Sequence, residues 1–472
     1  MKIKFNLQAL RQKRSQAFGW VNATQFFGAL NDNIFKAMIQ MFLIAMLPNS
    51  RGITLAIATI LFSIPYVFLT PYAGFLADRF SKKKITVILK YAELLIMVLS
   101  CIAFFIGSRF MLFTLLFMMS AQSALFSPTK YGILPELVSE EKLTRANGLL
   151  VMMSFIAIII GTASAPALSL VANKWISNPQ YAYGLASIVC VVIAIAGILT
   201  SHQVWKTRPA NPTVTNDHFF LRKLWKTFKW VRKDKNLLIA IFATGFFSML
   251  AGFMQINLIH YGMHCLELDE KQSSFMFFFA AVGIAFGAYY AGRLSKRNIE
   301  FALIPIGSFL ILVSLLIIGF ITSPNYLILV SILVFVAGLG AGFFIVPLDT
   351  FIQITLPLEK RGEGLALNSF ISWVGISLAG LFMFIFDKIS LPPNGGFLFF
   401  VIPAGILFIF GQHFLKDFFF RFCVNLIVRL IYKVRTIGIE NVPINGPAVL
   451  IVNHASYMDS LLLCATTRSR IR

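Results

Sequence analysis

Charge is what this sequence has least of. Only 13% of its 472 residues are Asp, Glu, Lys or Arg, and acids are the rarer sign, 19 against 41 bases. Soluble globular domains carry about 25% charged residues, so a water-soluble enzyme or binding module is excluded. Cysteine is sparse as well: Cys101, Cys190, Cys265, Cys423 and Cys464 lie far apart and form no Cys-x-x-Cys pair. That spacing argues against a zinc ribbon and a disulfide framework; no metal and no cofactor is expected. A short apolar segment followed by a small-residue cleavage site is also missing near the start, and the first apolar run is long enough to span a membrane. It reads as a retained helix rather than a removed signal peptide.

In place of charge there is apolar surface: 58% hydrophobic residues and a mean hydropathy of +0.80. Runs of spanning length at 17–47, 53–76, 85–107, 110–134, 146–172, 181–201, 237–261, 273–292, 300–321, 326–348, 364–386 and 396–415 predict twelve membrane helices. The net charge of +22 falls in short clusters between these runs, so membrane topology accounts for it and a nucleic-acid partner is not expected. Lys2 to Arg14, Arg79 with Lys82–Lys84, Lys142 with Arg145, the 206–235 loop, Arg293 with Lys296 and Arg297, and Lys360 with Arg361 alternate with loops that are almost free of bases. By the positive-inside rule both termini are cytoplasmic. The polar stretch from His202 to Asn236 contains Pro209 and Pro212 and is the longest break between runs, dividing a six-helix half at 1–201 from a second at 237–415. Within it, residues 221–232 alternate basic and aromatic positions at helical spacing, as suits a helix lying on an anionic leaflet.

Against this background Asp32 stands near the middle of the first run. An ionised group there costs a few kcal/mol by insertion scales, about 2.5–3.5, and survives only facing a bundle interior, a wet cavity or a partner. Gly28, Asp32 and Lys36 recur at i, i+4 and i+8 with Asn31 and Asn33 beside them, giving one polar helical face. Two readings stay open: a pathway lining, or an internal Asp32–Lys36 pair that ties the helix down.

The halves repeat each other. Gly74, Asp78, Arg79 and Lys82–Lys84 after the second run are echoed after the eighth, and aligning Arg79 with Arg293 gives an offset of 214; Asn147 and Asn368 give 221. Such parallel repeats place a substrate site between halves at the midplane. The spacing Gly-x-x-x-Asp-Arg-x-x-Lys-Lys resembles the signature loop of the major facilitator transporters. The resemblance implies an all-α fold of twelve membrane helices in two six-helix repeats. It also implies a gating role for Gly74, Asp78 and Arg79 at the cytoplasmic helix ends. Lys130 and Asp349 occupy corresponding positions with opposite charge, and are either an inter-half pair closing that side or unrelated groups. Gln255 and Asn257 are further pathway candidates, as are Lys90, Glu93, Gln122 and Asn368.

After the twelfth run, 415–435 reads as an interfacial amphipathic helix, and the segment to 472 turns soluble in character. A turn at 445–447 and a short strand lead to Asn453, His454, Ser456 and Asp459. This resembles the first motif of the glycerophospholipid acyltransferases, and predicts a short α/β fragment within 416–472. The resemblance implies His454 as general base and Asp459 as its orienting partner, with acyl-CoA or acyl-carrier protein as donor. The later motifs of that family are absent, so the enzyme domain is expected to be incomplete and the chain a fragment of a longer fusion. A twelve-helix transporter ending this way is similar to the bacterial lysophospholipid transporters fused to a 2-acylglycerophosphoethanolamine acyltransferase. That resemblance implies a multi-pass protein of the bacterial inner membrane that delivers lysophospholipid to the cytoplasmic leaflet, with membrane lipids as its surroundings. The competing expectations are an exporter of another amphiphile with a vestigial tail, and an acyltransferase whose helices only anchor it.

Overall fold

Long apolar runs in a bilayer satisfy their backbone internally, so they form helices, and the chain is helical throughout its membrane part. The computed structural model describes residues 2–46, 51–176, 178–213, 220–295, 298–432, 434, 437, 451–453 and 456–466. The first half contains α1 (Lys2–Met46), α2 (Arg51–Arg79), α3 (Lys82–Ile106), α4 (Arg109–Leu137), α5 (Glu140–Trp175) and α6 (Pro179–Gln203). The linker carries α7 (Phe220–Val231); the second half contains α8 (Lys235–Cys265), α9 (Glu270–Leu294), α10 (Leu303–Phe320), α11 (Leu327–Thr355), α12 (Arg361–Lys388) and α13 (Pro393–Ile431), and a short α14 (Asp459–Thr466) follows.

Among the described residues, 11 helices are long and apolar enough to cross a membrane. The one expected span not among them, the first run in α1, is long enough but falls short in hydropathy, because Asn31, Asp32, Asn33 and Lys36 interrupt it. The twelfth run and the amphipathic segment after it form one uninterrupted helix, α13, so the expected division at 415 lies inside it. No strand occurs among the described residues; 451–453 are not in one, and the turn at 445–447 and His454 lie outside them.

The packing repeats as the sequence does. In the first half α1 lies against α5 and α6, α2 against α4, and α3 against α4 and α6; in the second, α8 lies against α12 and α13, α9 against α11, and α10 against α11 and α13. Between the halves the main seams are α2 with α12 and α5 with α9, the same helix pair exchanged across a pseudo-two-fold axis. Each half has its own apolar core, built around Phe35, Phe42 and Phe104 in the first and Phe253, Phe397 and Phe400 in the second.

Small residues set the closest approaches, as expected where van der Waals packing drives helix association in lipid. A Cβ on Gly342 of α11 would stand 2.6 Å from the carbonyl carbon of Gly287 in α9. Gly342→Leu is therefore expected to destabilise the second half by about 1–3 kcal/mol or more, seen as a lower Tm in detergent. Gly380→Leu, with nothing within 4 Å of its Cβ position, should leave Tm unchanged.

Candidate substrate cavity and gate

The first turn of any helix leaves amide N–H groups without intrahelical acceptors. At the start of α12 those donors are met from the other half. Asp78, buried in the last turn of α2, accepts from the Gly362 amide at 2.7 Å through Oδ1 and from the Glu363 amide at 3.0 Å through Oδ2. The charge also complements the positive end of the helix dipole. Gly74, one turn earlier, permits this: a Cβ there would lie 2.6 Å from the Gly362 carbonyl oxygen. The linker helix joins the seal, with Lys223 Nζ 3.4 Å from the Glu363 carboxylate and 4.5 Å above the Phe75 ring. A further inter-half contact runs from α5 to α11: Asn147 and Gln353 exchange hydrogen bonds of 3.1 and 2.9 Å, and Asn147 also donates to Thr350 at 3.0 Å.

Arg79, expected to share the gate with Asp78, is exposed, its guanidinium 5.5 and 5.6 Å from the Phe75 and Phe80 rings. It takes no part in the seal. Position 78 shifted by the repeat offset is Gly292, which packs on the backbone of Arg145 in α5, so the equivalent place in the second seam has no carboxylate.

The polar face of α1 divides three ways. Gly28 and Asn31 turn into the first half: Asn31 donates to Glu93 at 3.0 Å, and the other Glu93 oxygen binds Lys90 at 2.6 Å in a fully buried pair. Gly28 provides room for the Lys90 ammonium. Asp32 instead accepts from Ser123 of α4 at 2.6 Å through Oδ2, while its Oδ1 is buried with no hydrogen-bond partner among the described residues. Lys36 does not pair with Asp32; its ammonium sits 4.4 Å over the Phe62 ring. The internal Asp32–Lys36 pair is thus absent.

Two chambers lie side by side between the halves. The first, about 310 Å³, is polar: Lys130, Asp349, Gln353, Asn368 and Ser369 face it, and Tyr66 and Trp373 stack at 4.0 Å along its wall. Lys130 and Asp349 share this space, but no ion pair within 4.0 Å joins them, so of the two readings the direct inter-half pair is not formed in this arrangement. Lys130 interacts electrostatically with both Asp349 and Asp32. The second chamber, about 320 Å³, is apolar, walled by residues such as Phe155, Ile158, Met254, Phe277 and Ile376, with Asn33 and Gln255 as isolated polar groups from opposite halves. Phe247 and Ser248 of α8 line both. Asn257 lies elsewhere: it donates to the Pro393 carbonyl at 2.8 Å inside the second half. At the tail, Asp459 Oδ2 accepts from the Ser456 amide at 2.8 Å at the start of α14.

Two repeated helical halves around a central cavity, sealed at the linker face by a carboxylate capping a helix of the other half, define a membrane transporter of the two-domain class. The chain belongs to the Major Facilitator Superfamily, whose family model matches residues 21–380. Among curated relatives it is 27% identical over 348 residues to the lysophospholipid transporter LplT of Pectobacterium carotovorum subsp. carotovorum strain PC1, covering 72% of this chain and 78% of the relative. It is 26% identical to LplT of Serratia proteamaculans strain 568, over 71% of this chain and 79% of that one. Of solved structures, the transporter FucP in its outward conformation superposes with a TM-score of 0.70 at 13% identity, over 85% of this chain and 99% of FucP. A bacterial homologue of the iron transporter ferroportin, in an outward-facing state, gives 0.64 at 16% identity, over 84% and 99%.

Sequence reasoning missed Ser123, Gln353, Trp373 and Phe247. Gln353 was within reach, since a second polar group one turn after Asp349 in an apolar helix marks a common face. Ser123, Trp373 and Phe247 are unremarkable in sequence and acquire roles only through their neighbours.

Charged hydrogen bonds of the Asp78 kind contribute about 1.5–3 kcal/mol each. In a cysteine-free background, Asp78→Ala should raise the rate at which Ser369→Cys reacts with a membrane-impermeant maleimide applied from the linker face by at least ten-fold. Lys223→Ala should give a smaller rise of the same sign.

Proposed function

We propose that the protein moves lysophospholipids from the outer to the cytoplasmic leaflet of a bacterial inner membrane. The observation that carries this reading is the paired chamber. A lysophospholipid with a zwitterionic headgroup needs both charge signs at one end and an apolar wall at the other. Lys130 faces the polar chamber for a phosphate, and Asp349, with the unpartnered Oδ1 of Asp32 nearby, offers negative charge for an ammonium such as that of lysophosphatidylethanolamine. The apolar chamber beyond Phe247 and Ser248 takes the acyl chain. The curated relatives named as lysophospholipid transporters support the same substrate.

The exposed bases Lys84, Lys142, Arg145, Arg232 and Lys233 lie at the linker side of the bundle, which makes that side, and both termini, cytoplasmic by the positive-inside rule. Asp78, Gly74 and the Asn147–Gln353 pair then form the cytoplasmic gate, and breaking these contacts releases substrate on that side. Lys130 and Asp349 act on the headgroup rather than as a gate latch. The tail is read as the beginning of an acyltransferase, with His454 as base and Asp459 as its orienting partner, reacylating the delivered lysolipid from acyl-CoA or acyl-carrier protein when the enzyme domain is complete. The family match ends at residue 380, so this part rests on the tail residues alone.

In proteoliposomes, the protein should carry fluorescent lysophosphatidylethanolamine between leaflets, measured by extraction with albumin. Lys130→Gln and Asp349→Asn should each slow it at least ten-fold, since a lost charged contact of about 1.5–3 kcal/mol corresponds to that factor or more. Wild-type rates in both variants would refute the headgroup assignment, and no protein-dependent transfer would refute the substrate.

A further inference from the structure

A third cavity, about 330 Å³, opens at the linker end of the second half between α8, α10, α11 and α13. Its walls carry Phe301, Phe344, Phe351, Phe410, Phe414 and Phe418, a density of aromatic rings with no polar counterpart deeper in. It is separate from the central chambers but abuts them. Phe344 faces the slot and Phe247 faces both chambers, and the two rings stack with centroids 5.3 Å apart. This aromatic pair forms part of the partition.

The mouth of the slot is bordered by charge. Arg421 lies 5.7 Å from the Phe418 ring, and the lining residue Asn236 directly follows the exposed Arg232, Lys233, Asp234 and Lys235, a segment with three bases to one acid. Beside Phe301 stands Glu300, which interacts electrostatically with Arg421 and whose Oε1 is buried without a hydrogen-bond partner among the described residues. A cationic rim at a leaflet surface attracts phosphate, a carboxylate with an unmet acceptor suits an ammonium, and a narrow aromatic slot suits one hydrocarbon chain.

We infer that this slot is a second lysophospholipid site in the linker-side leaflet. It holds the single acyl chain among the phenylalanines with the phosphate at the basic rim, adjacent to the central chambers across the Phe247–Phe344 pair. The inference rests on the lysolipid reading above, but names a different place. A lysophospholipid leaving the centre on that side meets the slot before the open bilayer. There its chain is already in apolar surroundings while its headgroup is at the membrane surface.

The test uses lysophosphatidylethanolamine with a diazirine near the end of its acyl chain, photolysed in proteoliposomes and mapped by mass spectrometry. Adducts are expected on slot residues such as Phe351 and Phe414 and on central ones such as Phe155 and Met254. Gly411 lines the slot, and its Cβ position has only ordinary contacts, 3.7 Å to Pro305, so Gly411→Phe fills the slot without forcing the backbone. It should cut slot adducts at least five-fold and leave central adducts and Tm unchanged. Central adducts without slot adducts overturn this inference and leave the transport reading standing; slot adducts without central ones do the reverse. Loss of slot adducts under excess diacyl phosphatidylethanolamine would assign the slot to bulk lipid and also overturn it.

Discussion

A carboxylate inside a bilayer must find donors or positive charge, because water is not there to solvate it. At Asp78 those donors are two backbone amides that belong to the other half of the molecule. The interaction meets two needs at once, since α12 has first-turn amides lacking acceptors and α2 has an acid lacking a partner. Neither half satisfies its own group in this arrangement. The halves are therefore joined at the linker face by polar necessity, while each core packs independently.

The same rule distributes the remaining buried charges. Glu93 is met twice, by Lys90 and by Asn31, and is structural. Lys82 is met by Glu136 at 2.6 Å within the first half. Lys130 and Asp349 face a polar chamber without an ion pair between them, and one oxygen of Asp32, which interacts electrostatically with Lys130, is buried with no hydrogen-bond partner among the described residues. Charges satisfied within one half hold that half together, those satisfied across halves join the two, and those left incompletely satisfied are the ones proposed to meet a charged headgroup. The linker helix α7 touches both halves at this face, through Lys223 to Glu363 of the second and to the Phe75 ring of the first.

The repeat, the linker and nearly all the spans were legible because hydropathy and basic clusters act over long stretches. Gly74 and Asp78 were legible because a signature loop carries them. The polar face of α1 was read only in outline: helical spacing groups Gly28, Asp32 and Lys36, but which neighbour each meets depends on how α1 is rotated among the other five helices of its half. A rotation of a few tens of degrees decides whether Asn31 reaches Glu93 or a cavity. Asn257 illustrates the same limit, since a polar residue in a membrane helix serves a carbonyl of a neighbouring helix as readily as a substrate. Arg79 followed the signature but not the contact, because its side chain finds aromatic rings and solvent instead of the opposite half.

The central claim is that one lysophospholipid occupies both chambers at once, headgroup between Lys130 and Asp349 and acyl chain past Phe247. A structure of the protein in lipid nanodiscs with lysophosphatidylethanolamine tests it most directly. The account predicts phosphate density within hydrogen-bond reach of Lys130 and continuous chain density along Phe155 and Met254. A headgroup bound away from Lys130, or a chain lying outside the apolar chamber, would contradict it.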